Sequence, residues 1–260
     1  VSLGVQSFVE RELKAVGRPH RAETVAADVD LLRSASIANL GFDLIAGLPY
    51  QTEASWEESL GWLGRLRPEH ASVYLLEIDE DSRLGAEALA GGSRYSARAL
   101  PDEDTAAGFY CRAIERLRES GYQQYEISNF ALPGRESRHN RKYWEGAPYL
   151  GFGVDAHSFD GVERRANTDS LEEYLARAAR GEPPVVGRQL VDERRRAEEA
   201  MYLGLRQNQG VALPPDRYGR YRREIDELTG AGLLEFADGR LRLTGRGRLL
   251  SNEVFAAFIE

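Results

Sequence analysis

The densest group of chemistry-bearing side chains is Ser137-Arg138-His139-Asn140-Arg141-Lys142-Tyr143-Trp144. A neutral imidazole ligates metal ions, Tyr143 and Trp144 offer flat apolar faces, and Arg138, Arg141 and Lys142 can meet anionic arms. The chemistry this suits is the holding of a flat, anionic, metal-bearing ligand, with His139 as the ligating residue. His157, in Ala156-His157-Ser158, is the reserve ligand. A histidine beside an aromatic pair also serves as a loop anchor. His20 follows Pro19 and His70 precedes a strand-like run; neither has a ligand-like neighbour, and both read as structural or solvent-facing. Glu126 and Glu77 lie near strand ends and could pair for acid–base work, although such carboxylates often bond nearby amides or arginines. Cys111 is the sole cysteine, so the chain forms no internal disulfide and cannot assemble a thiolate-held cluster. It sits between Tyr110 and Arg112 in a helical stretch and reads as a small, half-buried hydrophobe. No metalloprotease helix, phosphate loop or nucleophile elbow is present: the glycines of Gly151-Phe152-Gly153 precede no Gly-Lys-Ser/Thr.

These residues are spread over 260 positions, of which 42% are apolar, enough for a proper core. The formal net charge of −8 argues against general attraction to nucleic acid or anionic membrane. No stretch reaches the roughly 18 apolar residues of a membrane span, and no basic-then-apolar leader opens the chain. A cytoplasmic location is the expectation. Strand-like runs alternate with helical ones: a strand over 2–6, a helix near 23–38, a strand over 42–48, a helix over 53–66 and a strand over 71–78. Pro101-Asp102-Glu103-Asp104 opens a further helix that runs to Ser120, where Gly121 stops it, and 122–130 is the next strand candidate. Successive βαβ crossovers predict a parallel sheet able to curl into a barrel, with ligand groups at the carboxyl ends of its strands. Gln6, Asp43, Glu77 and Glu126 fall in or near such strands.

Near Gly181-Glu182-Pro183-Pro184 the rhythm changes, which places a linker there and two domains at 1–180 and 185–260. The second shows helices over 192–207 and 215–230 and a hairpin about Asp238-Gly239, a winged-helix-like α+β pattern. Its 13 arginines and no lysine stand against 12 acidic residues, a balance that favours a packing or protein-binding role over DNA.

Ser2-Leu3-Gly4-Val5-Gln6-Ser7-Phe8, Gly17-Arg18 and Asp43-Leu44-Ile45-Ala46-Gly47-Leu48-Pro49-Tyr50-Gln51-Thr52 resemble the central strands of the oxygen-independent coproporphyrinogen III oxidase family of radical-SAM proteins. Glu126-Ile127-Ser128-Asn129-Phe130-Ala131, the 137–144 cluster, Tyr149-Leu150-Gly151-Phe152-Gly153 and Ala156-His157-Ser158 are similar to its HemW-type branch, the heme chaperones. The resemblance runs through Leu243-Thr244-Gly245-Arg246-Gly247-Arg248-Leu249-Leu250. It implies a partial radical-SAM (β/α) barrel, N-terminally truncated, followed by the winged-helix-like domain. Intact members carry a Cys-x-x-x-Cys-x-x-Cys segment holding a 4Fe-4S cluster; those cysteines are absent here.

The resemblance implies that Gln6, Arg18 and Asp43 contact S-adenosylmethionine (SAM). Their types suit its carboxylate, cationic centre and ribose hydroxyls, and Ile45, Gly47 and Pro49 would add an apolar wall for adenine. It implies heme as the ligand of His139, Asn140, Tyr143 and Trp144, with His139 on the iron. Three functions follow. One is a HemW-type chaperone, in truncated form, passing heme to an accepting protein without redox catalysis. A coproporphyrinogen-oxidase-like enzyme fragment is the second, and an inactive remnant or protein-interaction module the third. Without preceding strands, 2–6 would be an unpaired sheet edge prone to self-association.

Overall fold

A computed structural model describes residues 1–78, 83–90, 92 and 94–259, the side chains of 83, 88 and 94 excepted. These residues form two compact units, Val1–Ser137 and Arg138–Glu260.

The first unit runs β1 (Ser2–Gln6), α1 (Glu10–Ala15), α2 (Ala22–Ser34), β2 (Gly41–Ala46), α3 (Glu53–Leu66), β3 (His70–Leu75), α4 (Arg83–Leu89), α5 (Glu103–Glu119), β4 (Gln123–Gln124) and β5 (Asn129–Ala131). Local signals explain its best-placed helices. Thr52 and Ser55 form a reciprocal capping box at the start of α3, and the Asp102 carboxylate accepts from the Thr105 N–H at the start of α5. The sheet order is β1-β2-β3-β5-β4. β1, β2 and β3 are parallel, as the βαβ rhythm predicts. The single strand expected over 122–130 is instead two short strands joined by a turn, and β5 runs antiparallel to β3. The reason lies in that turn, where Glu126 accepts from the Ser128 N–H at 2.8 Å and from the Asn129 amide at 2.5 Å and reverses the chain. The sheet of the described residues is thus open, with β1 at one edge and β4 at the other.

One face of this sheet is apolar. Phe42, Leu44, Ala46, Ala71, Val73 and Phe130 are buried, and α3 and α5 supply Trp56 and Phe109, whose rings lie 6.2 Å apart. Burying the larger of these side chains contributes about 1.5–3 kcal/mol each. The opposite face is polar and carries the first candidate site.

The second unit contains α6 (Arg138–Trp144), β6 (His157–Phe159), β7 (Glu163–Asn167), α7 (Leu171–Ala179), β8 (Val185–Leu190), α8 (Glu193–Arg206), β9 (Val211–Ala212), α9 (Pro215–Arg220), α10 (Arg222–Gly230), β10 (Leu234–Ala237), β11 (Arg240–Leu243), α11 (Gly245–Leu249) and α12 (Ser251–Ala256). Sheet β6-β7-β8 is antiparallel. Because β8 pairs along its length with β7, the expected linker at 181–184 is a turn inside this unit, and the division between units falls at Ser137. From α8 onward the order is helix, strand, helices, hairpin, with a sheet ordered β10-β11-β9. This is the winged-helix-like arrangement the pattern predicts. Asp238 and Gly239 both take positive φ, 52° and 74°, the geometry of a type I′ hairpin turn. The helix expected over 215–230 is broken at Tyr221, whose buried ring meets Phe258 edge-on at 5.4 Å. Among the described residues no helix is long and apolar enough to cross a membrane.

Candidate functional site

Cross-strand register builds the polar face of the first unit. Asp43, Ser72 and Asn129 are paired neighbours across β2, β3 and β5, while Ser2, Gly41 and His70 form the adjacent row. Ser2 donates its hydroxyl to the Asp43 carboxylate at 3.2 Å. The Ser72 hydroxyl donates to the Asn129 amide oxygen at 2.8 Å, and the Asn129 amide nitrogen donates to Glu126. His70 Nε2 lies 2.8 Å from the Tyr125 hydroxyl. Burial pushes the His70 imidazole below its ordinary range, opposed by the Asp43 charge on the same face.

Gln6 ends β1 in a left-handed conformation, φ 65°, after a bulge in the pairing with β2. Its amide folds back over Gly4, which carries it onto the face that holds Ser2 and Asp43. Arg18 lies beyond α1, exposed, and its guanidinium has no partner among the described residues. The structure therefore brings Gln6 and Asp43 to one face and leaves Arg18 in a loop, which His20 ties to the Val5 carbonyl at 2.9 Å. Pro49 is buried and Ile45 half-buried. Gly47 has φ +100°, and a side chain there would press on Ala106 and Leu76, so its smallness serves helix packing.

Behind the strand ends lies a buried polar group that patterning did not reveal. Glu12, fully buried, accepts from the Ser7 hydroxyl at 2.6 Å and from the Gln51 amide at 3.3 Å, and Gln51 accepts from the Gly47 N–H at 2.6 Å. No local signal marked it, since Glu12 lies in the charged run Glu10-Arg11-Glu12 and reads as surface. Glu77 is exposed and Glu126 is fully buried within its turn, so the expected carboxylate pair occupies two unlike environments. Cys111 is exposed on α5, not half-buried as expected, because it lies away from the face that buries Phe109, Tyr110 and Ala113. A cubane cluster needs several thiolates, and among the described residues no group of three or more His, Cys, Asp or Glu could hold a metal. The residues present do not fit the cluster.

In the second unit, α6 displays His139 in its first turn, exposed, with neither ring nitrogen bonded among the described residues. Tyr143, one turn on, meets the His139 ring edge-to-face at 5.0 Å. Tyr149 lies 4.6 Å from Tyr143 and 6.3 Å from Phe159. Tyr149 and Phe159 bridge two antiparallel segments, and two residues along, Gly151 lies so close to the His157 carbonyl that any side chain there would collide with it. His157 is exposed on β6 and its ring is unbonded among the described residues. Asn140 is half-buried. Leu150 and Phe152 are 73% and 85% exposed, although the Gly151 N–H is held by Ser158 and the Gly153 N–H by the Tyr174 hydroxyl. Among the bases, Arg141 pairs with Glu145, while Arg138 and Lys142 are exposed and unpaired among the described residues. Trp144 departs from the expected flat platform: the Arg206 guanidinium covers its ring at 4.4 Å, and its carbonyl accepts from the Gln207 amide at 3.3 Å. It anchors the end of α6 to α8.

Residues 191–250 match the HemN C-terminal domain. The chain is 34% identical to heme chaperone HemW of Bacillus subtilis over 100% of its own length and 69% of that protein. It is 32% identical to HemW of Lactococcus lactis, covering 100% and 68%. The solved structure of Escherichia coli coproporphyrinogen III oxidase (HemN), a radical-SAM enzyme, superposes with a TM-score of 0.78 over 99% of this chain and 63% of that one at 22% identity, a likeness of fold. With whole-chain identity above 30% to two heme chaperones and a radical-SAM fold beneath it, this chain belongs to the HemW family of heme chaperones.

Proposed function

We propose that this chain binds heme at α6, with His139 on the iron and Tyr143 beside it, and passes it to a heme-accepting protein without catalysis of its own. The observation that carries the reading is an exposed, unbonded imidazole braced by Tyr143 at 5.0 Å, in a continuous row with Tyr149 and Phe159. Axial ligation needs a free imidazole nitrogen, and a porphyrin face needs flat apolar neighbours. Asn140 borders the site, Arg138 and Lys142 are free to meet propionates, and His157 is the alternative ligand. Trp144 contributes by fixing the helix and not as an open plate, since Arg206 occupies its face.

Gln6 and Asp43, with Arg18 from its loop, would hold SAM: an amide, a carboxylate and an unpaired guanidinium match its hydroxyls, ammonium and carboxylate. When bound, SAM would supply a sulfonium-activated adenosyl group. What these residues do is orient its polar ends against the open sheet face.

Hemin titration followed by the Soret band tests the reading. The expected result is a saturable shift abolished by His139→Ala and retained in His157→Ala. No shift, or one indifferent to both substitutions, overturns it.

A further inference from the structure

The aromatic row beside His139 continues past Phe159 and ends in a buried ion pair. Tyr149 faces Phe159 across one antiparallel bridge, and Phe159 faces Arg164 across the β6–β7 ladder, so the three side chains stand side by side on neighbouring segments. The Arg164 guanidinium lies 5.1 Å from the centre of the Phe159 ring. It then reaches α8, where it donates to both carboxylate oxygens of Glu199, to one of them at 2.9 Å. Bonding to Glu199 raises the guanidinium pKa; burial opposes the rise, and the Tyr149 hydroxyl adds to it from the other side. Glu199 is buried, with 7% of its surface exposed. An apolar replacement for a buried ion pair is often neutral for stability, whereas two parallel charge-assisted bonds fix direction closely. The second carrier of the row meets the same helix. α6, which holds His139 and Tyr143, ends at Trp144, whose ring lies 4.4 Å from the Arg206 guanidinium. Glu199 and Arg206 are about two helical turns apart and so share one face of α8.

We propose that Arg164 and Glu199 are positioning residues of the heme site: through them α8 sets how Tyr149 and Phe159 stand against Tyr143, and so how His139 is presented. This rests on the heme reading above and extends the site to two residues outside the 137–144 cluster. Neither touches the ligand; each acts through the rings between.

Arg164→Met keeps the apolar stem and removes the fork, and Glu199→Gln keeps the shape and removes the charge. The double variant leaves no buried charge unpaired, so it keeps the test available if a single variant does not fold. The chain has four histidines, so a sample labelled with 13C in its imidazoles gives four Hε1 resonances, and His139→Ala assigns the relevant one. In the folded, ligand-free variants the His139 resonance is expected to move while those of His20 and His70, in the first unit, stay in place. Hemin affinity is expected to fall roughly tenfold, as for one lost charge-assisted bond, with a displaced Soret maximum. A pair that only stabilised the fold would lower the melting midpoint and leave these readouts at their native values below the transition. That result, or a His139 resonance that stays in place, overturns the proposal. The absence of any Soret shift in the native chain is instead a failure of the heme reading, and the ligand-free resonance then still decides whether the pair positions His139.

Discussion

His70 shows how far a residue's role depends on its neighbours. In the chain it is an isolated histidine ahead of a strand; in the fold it stands on the polar face beside Asp43 and bonds Tyr125. Burial lowers its folded-state pKa, so above about pH 6.5 both folded and unfolded forms are neutral and the group is without effect. As pH falls below that value the unfolded chain takes up the proton first, and stability declines until the folded form also titrates. His70→Gln removes this dependence, so the advantage of the native chain over the variant should shrink from about pH 7.5 to about pH 5.5 in thermal melts. A constant gap across that range would sink the argument. His139 and His157 contrast with it, since both are exposed with ring nitrogens unbonded among the described residues, as the proposed ligation requires. Trp144 shows the converse: the Arg206 guanidinium of α8 lies over its ring, a neighbour the local sequence does not announce.

At the scale of elements, the helices with clear caps formed where the pattern placed them, because a cap satisfies backbone donors within three residues. The stretch over 122–130 did not, because the turn at Glu126 outcompetes an uninterrupted ladder. The segment from Tyr149 to Gly153 is held on both sides, and Gly151 is its critical position. A methyl group there meets the His157 carbonyl carbon and oxygen. Gly151→Ala should therefore destabilise the second unit by about 1–3 kcal/mol, read as a lower melting midpoint. It should also weaken hemin binding, since it displaces the strand that carries His157 and supports Tyr149. Unchanged melting would mean that the loop relaxes freely.

For the whole molecule, the open sheet carries the consequence. β1 is an edge strand, and its unpaired side offers a template for another chain. Concentration-dependent association of this chain is expected in light scattering, reduced by Gly4→Lys, which puts a charge on an exposed position of that strand; a monomer at all concentrations would refute it. The sequence by itself determined the family, the βαβ opening and the winged-helix-like close, since motifs, caps and turn residues act over a few positions. Only the tertiary structure decided that Asp43, His70, Ser72 and Asn129 share one face, that the loop carrying Arg18 is tied to the end of β1, and that Trp144 is pinned by a glutamine 63 residues further along. Those outcomes depend on strand register and on packing between distant segments, which no local pattern encodes.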